Sequence, residues 1–456
     1  MNTILQQQKN HHRQALRPPL AKGLPVLGNA LDLAGDVGDF LRKKYLELGP
    51  VFRVRALNRE MVVLAGREAN LFFSKEGTKY FASRAVWQDF NAQLGISRSL
   101  INMDGPDHTK YRNQLKPGYS VAMLEQNLDQ AVAIVRQEVA TWSTIKPQPV
   151  FNLMQRIIIQ QLGLLITNYS PHEYLDDLIL FSRILTATTI GKQRPKFLTY
   201  LPAYQRAKAR VFELARKVIA THSTELRGDR HPDLIDHLLQ FVKQEPEFLS
   251  KQEDRINAAM TPFLAGVDTA ASVTAFLLYS LLKHPDILEQ ATVEANALFA
   301  NDTLTPDNLR KLDVLQRVTL ETLRMYPIAP VLFRSVTVPF EFAGYRIEAG
   351  QRVLIAISLP HHLPEFYPNP FQFDIERYSK GREEHRQPGV FAPFGLGSHL
   401  CLGMNFAQAL IPLNIATILH AVRLSMVPAN YQLQIDPIPT PSPNKKFQIR
   451  VAEQLE

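Results

Sequence analysis

Cys401 is the only cysteine in a chain of 456 residues, and it stands within "FGLGSHLCLG", residues 394–403. Gly395, Gly397 and Gly403 allow this backbone to turn tightly and allow a bulky group to come close. A helical pattern follows from about residue 401 to 420 and sets the sulfur at a helix N-terminus. The dipole and the free N–H groups there favour a thiolate. A single thiol also excludes an intramolecular disulfide, an iron–sulfur cluster and a zinc site built from several cysteines. A buried structural thiol is the plain alternative. If Cys401 does chemistry, it acts alone, as a nucleophile or as a metal ligand.

A haem iron is a metal for which one protein ligand is enough, because the porphyrin fills the in-plane positions. Haem carries two propionates, which need cations. In "DHTKYR", His108 and Arg112 are spaced i, i+4 on one helical face; His399 lies two residues before the thiol, and Arg334 sits in a β segment. Each one alone reads as a solvated surface charge. Together with Cys401 they read as a propionate-binding set. Glu321 and Arg324, in "ETLRMYP", form an i, i+3 pair worth only about 0.2–0.5 kcal/mol when exposed. Leu320, Leu323 and Met325 around them argue for partial burial and a structural role.

The elements that must hold these residues are mostly helical. "VFRVRAL" and "EMVVLAG", joined by "NR", predict a β-hairpin, and short β pieces return over residues 331–357. Residues 123–142 and 203–222 are amphipathic helices, and residues 360–393 form a Pro-rich irregular stretch. The longest apolar run, residues 256–282, carries one charge, Asp268. Hydropathy alone allows a membrane span. Pro262 and a central Asp, costing about 2.5–3.5 kcal/mol in lipid, favour a buried helix through a large domain. Such a helix buries Asp268 unless it lines a cavity, and a buried carboxylate needs a reason. No repeat or composition break divides the chain, so residues 18–456 are expected to form one mainly α domain with small β-sheets, after a polar flexible tail over 1–17. Hydrophobic residues make up 45% of the chain, enough for a large core. The N-terminus has no stretch long enough for a signal peptide or membrane anchor. The net charge of +8 suits an acidic partner or an anionic surface. Scattered basic residues without zinc-finger or heptad spacing argue against nucleic acid.

These motifs resemble one family. "FGLGSHLCLG" fits the Phe-x-x-Gly-x-x-x-Cys-x-Gly signature of the haem-thiolate monooxygenases, the cytochrome P450 superfamily, in its soluble bacterial form. "ETLR" matches its Glu-x-x-Arg helix, and "AGVDT" matches the Ala-Gly-x-Asp/Glu-Thr of its central helix. "HTKYR", "FQFDIERY" and the entry segment "PPLAKGLPVLGN" are similar to further family segments, and all of them run in family order from about residue 18 to about 450. The cysteine signature is highly specific, Glu-x-x-Arg alone is weak, and the ordered set is close to decisive.

The resemblance implies a fold that holds haem b between the long central helix and the cysteine loop with the last helix. It implies that Cys401 is the axial thiolate, with Phe394, Gly397 and Gly403 shaping its loop, and that Arg377 joins Glu321 and Arg324 in a structural triad. His399 stands where many relatives carry Arg, and Pro262 puts a kink in question. The implied reaction inserts one oxygen atom of O2 into an organic molecule. Thr269 would hold a water and Asp268 would relay protons, while Ala265 and Gly266 leave room for O2. Trp87, Phe90, Leu94, Phe263, Val331 and Leu332 suggest a lipophilic substrate such as a fatty acid, terpenoid or steroid. No dinucleotide fingerprint is present, so electrons would come from a separate ferredoxin or flavodoxin with its reductase. A peroxide-driven peroxygenase of the same fold and a non-catalytic haem sensor or electron carrier are the rival readings. A cytoplasmic monomer, with at most weak peripheral membrane contact, is expected.

Overall fold

The structure is a computed structural model that describes residues 16–190, 192–224, 230–300 and 304–455. The tail expected over residues 1–17 falls almost wholly outside them. The helices that bear on the site are, in chain order, α1 (Gln88–Leu94), α2 (Gly105–Leu115), α3 (Val150–Gln161), α4 (Leu175–Thr189), α5 (Pro202–Thr224), α6 (Leu234–Gln244), α7 (Gln252–Lys283), α8 (Asp313–Met325) and α9 (Met404–Ala421).

The main sheet joins β1 (Val51–Ala56), β2 (Arg59–Ala65), β3 (Phe81–Ala82), β4 (Leu332–Val336) and β5 (Arg352–Ala356) in the order β1-β2-β5-β4-β3. The hairpin forms as the alternation predicts, with Val51 opposite Leu64 and Ala56 opposite Arg59. Its turn is Leu57–Asn58, one residue earlier than "NR", and Leu57 takes a φ of 55° that glycine would hold more easily. β5 lies parallel to β2 and antiparallel to β4. Val62, Val63, Leu64 and Ala65 are all buried, because the sheet is covered on both faces by separate apolar clusters.

α7 runs through the middle of the large helical cluster. Phe263, Val267, Ala271, Phe276 and Leu277 are buried on it, which is why its sequence is apolar nearly all round. It continues as one helix through Pro262, which removes one backbone hydrogen bond without ending the element. α7 and the Gly397–Ala421 segment are long and apolar enough to cross a membrane, yet most of the apolar window in each is buried inside the protein. α9 begins at Met404 rather than at Cys401, with Gly403 at its N-cap.

Candidate active site

The cysteine loop is built by backbone geometry. Gly395 and Gly397 adopt φ of 85° and 71°, values that cost a residue with a Cβ, and the Cys401 N–H donates to the Phe394 carbonyl at 2.9 Å. Phe394 is half-buried against the helical cluster. The sulfur lies near the Gly403 N–H and within electrostatic reach of Arg112.

Cys401 is exposed as a residue, yet enough protein surrounds it that burial pushes its thiol pKa up; the Gly403 N–H and Arg112 oppose this without reversing it. Both observations hold for a side chain that opens onto an internal space. The helix-terminus argument expected the opposite direction, and burial wins because Cys401 precedes the first helical turn. A thiol held protonated is a poor nucleophile at neutral pH. A metal ligand suffers no such handicap, because the metal displaces the proton.

The four candidate cations gather on this side. His399, Arg112 and Arg334 all act electrostatically on His108. The His108 and His399 rings lie 4.1 Å apart. His108 is 2% exposed, and burial, then the nearby His399 and Arg112, pull its pKa down to about 4. It is therefore a neutral donor or acceptor at pH 7, not the cation that its spacing suggests, and its Nε2 is buried without a partner. Arg334 is 7% exposed with its pKa lowered to about 10 by burial; it donates at 2.7 Å to the Phe333 carbonyl and sits over the Phe73 ring. Among the described residues, neither Arg334 nor Arg112 makes an ion pair. Two part-buried guanidiniums without carboxylates are costly unless an anion arrives.

His399 is held differently. Its Nε2 is 3.1 Å from Asp104 Oδ1 and 3.1 Å from Ser83 Oγ, so an acid stands within the cationic corner. Asp104 also accepts from the Ser83 N–H at 2.9 Å. Sequence reasoning missed Asp104, although it lies four residues before His108 in "DGPDH". Asp104, His399 and Arg334 border a small cavity of about 30 Å³ together with Phe73, Phe81, Gly397 and Ser398.

On α7, Ala265 is exposed although Phe263 and Val267 are buried, so the helix also opens onto an internal space there. Thr269 Oγ1 donates to the Ala265 carbonyl at 2.7 Å. Asp268 turns toward α3, where Gln155 Nε2 donates to it at 2.7 Å. Burial raises its pKa; Arg183 on α4 and Gln155 hold the rise back. Sequence reasoning named neither partner. Gly266 has another task than expected. A Cβ there would lie 2.9 Å from Leu162 Cδ1, so the glycine lets α7 pack on the segment after α3, and Ala265 is the residue that faces open space.

The three triad residues meet. Arg324 donates twice to Glu321 at 2.7 Å, Arg377 reaches the same carboxylate at 3.3 Å, and all three are at most 1% exposed. Tyr378 Oη and the Asp374 N–H complete the carboxylate's partners, at 2.9 and 3.0 Å. Arg324 also donates at 2.7 Å to the His361 and Pro370 carbonyls, which fixes the irregular stretch onto α8.

The expected pocket residues do not all converge. Trp87, Phe90, Leu94 and Phe263 belong to the helical cluster, with the Trp87 and Phe90 rings 5.6 Å apart. Leu332 packs on one face of the sheet, and Val331 on the other, beside Leu41, Phe52 and Leu354. Val331 and Leu332 thus pack in two separate clusters, and neither belongs to the helical cluster that holds the other four.

The donor set fits a haem. One thiol faces an internal space, and two part-buried guanidiniums and an unpartnered His108 Nε2 lie beside it, as an iron ligand and two propionates require.

Comparison with known proteins agrees with this geometry. The sequence model "Cytochrome P450" matches residues 18–451. A putative cytochrome P450 120 of Synechocystis is 26% identical over 445 residues, spanning 95% of this chain and 96% of its own length. Abscisic acid 8'-hydroxylase 4 of Arabidopsis thaliana is 25% identical over 453 residues, spanning 97% and 93%. Among solved structures, the cytochrome P450DA heme domain superposes with a TM-score of 0.83 at 25% identity, covering 96% of this chain and 98% of its own. The retinoic acid-bound cyanobacterial CYP120A1 does so with a TM-score of 0.82 at 24% identity, covering 95% and 99%. A lone cysteine in a glycine-shaped loop, the buried triad, the fold and the matched length lead to one conclusion: this chain belongs to the cytochrome P450 family, which carries a haem iron.

Proposed function

We propose that this protein is a haem b-dependent monooxygenase that hydroxylates or epoxidises a lipophilic small molecule, with electrons from a separate ferredoxin or flavodoxin. Cys401 with the unpaired Arg112 and Arg334 carries the reading, because those residues suit one axial thiolate and two anionic side arms. His399, steadied by Asp104, and His108 add hydrogen-bond capacity in the same corner. When bound, the haem supplies the chemistry of O2 activation.

The remaining work falls to protein groups. Cys401 would hold the iron and, as a thiolate, would lend it electron density. Thr269 offers its oxygen as an acceptor while its proton goes to the Ala265 carbonyl, so it can hold a water without leaving the helix. Asp268, half-buried with a raised pKa, exchanges a proton more readily near neutral pH than an ordinary carboxylate does. Phe90, Leu94 and Phe263, buried in the helical cluster, would present an apolar face to a lipophilic substrate. Relatives named as an abscisic acid 8'-hydroxylase and a cyclooctat-9-en-7-ol 5-monooxygenase support a lipophilic substrate. Residues 18–456 act as one domain in this reading, monomeric and cytoplasmic.

Turnover of a lipophilic compound library tests it, first with reductase and ferredoxin under air, then with peroxide alone. The account expects product in the first case, and more released peroxide with less product in Thr269→Ala. Product from peroxide alone, unchanged by Thr269→Ala, would make the protein a peroxygenase. Haem binding without turnover in either would make it a sensor or carrier.

A further inference from the structure

A second cavity, which shares no lining residue with the first, lies between α1 and the chain that leaves α4. It has a volume of about 200 Å³ and is lined by Asp89 and Gln93 of α1, Thr188 and Thr189 of α4, and Lys192, Arg194 and Lys196. Its charge is lopsided. Lys192 pairs with Asp89, while Arg194 and Lys196 make no ion pair among the described residues. Asp89 is the one acid in the lining, and Lys192, Lys196 and the hairpin residue Arg59 all lower its pKa. The two threonine hydroxyls already donate to the Ile184 and Leu185 carbonyls, so they offer no spare proton. An incoming anion would therefore be met by the cations and the Gln93 amide.

The backbone holds the cations in place. The Arg194 N–H donates to the Ala187 carbonyl at 3.1 Å, folding the connection back over the end of α4. Lys192 sits at φ 51°, a conformation that a non-glycine residue adopts at a cost. The Asp89–Lys192 pair bridges α1 to this connection. α1 also carries Phe90 and Leu94, both buried in the helical cluster. One short helix thus has an apolar side toward the core and a charged side toward this cavity.

We propose that this cavity is an anion subsite for the carboxylate of a lipophilic acid, and that the substrate is a long amphipathic acid rather than a neutral hydrocarbon or alcohol. The proposal rests on the monooxygenase reading and narrows its substrate class. Exposed Phe197, Tyr200 and Leu201 beside the cluster would meet the apolar body of such a molecule as it arrives.

The test is a titration of the haem-loaded protein, without lipid, by following the Soret shift. The probes are the C12 to C18 straight-chain acids and retinoic acid, each against its own methyl ester. Exposed ion pairs are modest, so two free cations should favour the best acid over its ester by about fivefold to tenfold at low salt, and less at high salt. R194E/K196E should remove that preference and leave ester affinity unchanged; R194Q/K196Q, a milder change, should reduce it. The proposal is overturned if no acid binds better than its ester, or if the preference survives in R194E/K196E. It is also overturned if the two proteins differ only in flotation on phosphatidylserine vesicles, because the cluster would then serve a lipid surface. Ester turnover with a surrogate reductase, run on both proteins, tests the monooxygenase reading separately.

Discussion

Gln155 Nε2 donates a 2.7 Å hydrogen bond to Asp268 Oδ1, tying the only charge in the apolar stretch of α7 to α3. Burial raises the Asp268 pKa, and Arg183 and Gln155 restrain it. Gln155→Leu should therefore move the Asp268-dependent limb of the kcat–pH profile to higher pH, because one stabiliser of the carboxylate is gone. Asp268→Asn should remove the limb and slow turnover by about 10²-fold, within the usual range for a lost general acid–base group. A limb that stays in place in Gln155→Leu means that Asp268 does not set it.

Glu321 is 0% exposed and receives hydrogen bonds from Arg324, Arg377, Tyr378 and the Asp374 N–H. Glu321→Ala leaves two buried guanidiniums without it, at a cost of about 3–5 kcal/mol. Little soluble, haem-loaded protein is expected, measured as haem absorbance per milligram after purification. Normal haem content and an unchanged urea midpoint would show that the triad does not hold the fold.

His222 on α5 donates through Nδ1 to the Val218 carbonyl and through Nε2 to Asp233 at the start of α6, both at 2.8 Å, with Arg230 bridging Asp233 and Asp236. Two acceptors on one ring call for the imidazolium. Burial lowers the ring's pKa, but the Asp233 carboxylate, the Val218 carbonyl and Asp236 raise it, and the balance lies above the ordinary value. A raised folded pKa stabilises the protonated form. This contribution is fully present below about pH 6.5, the unfolded value, and is lost as pH rises through the folded value. The Tm of the natural protein should thus fall by a few degrees at most between pH 6 and 8, and His222→Gln should flatten that slope. An equal slope in both proteins contradicts the assignment.

A redox partner's docking face is expected on the cysteine side. The sequence offers Lys110 and Lys116, on the segment of Arg112, and Lys380, Arg382 and Arg386, just before the cysteine loop, and the structure thins this set. Lys110 is paired with Glu245, Arg382 with Asp374 and Glu384, and Arg386 with Glu383. Lys116 and Lys380 make no ion pair among the described residues. Lys116→Glu with Lys380→Glu should slow reduction by a ferredoxin several-fold at low salt and leave substrate binding unchanged. Stopped-flow rates that show no salt dependence would remove the electrostatic docking.

What the sequence revealed and what it hid follow from how far each signal reaches. Cys401, "ETLR" and "AGVDT" are local strings, and their spacing alone carries chemistry. The hairpin was legible because alternation has a period of two, although the turn shifted to Leu57. Partners across the fold were not legible. Gln155 lies 113 residues from Asp268, and Asp104 lies 295 from His399; no local pattern marks either pair. Burial was the other hidden quantity. It turns His108 from an expected cation into a neutral ring, and it raises the Cys401 thiol where the helix-end argument lowers it. Gly266 was expected to leave room for O2, whereas a Cβ there would meet Leu162, a residue of the segment after α3 that no local pattern marks.

The central claim is that Cys401 is the sole protein ligand to a haem iron. The most direct test is the absorption spectrum of the reduced, carbon monoxide-bound protein, natural and Cys401→Ser, at equal haem content. The account predicts the long-wavelength Soret band of a thiolate-ligated haem in the natural protein and its loss in Cys401→Ser. The same band in Cys401→Ser would contradict it.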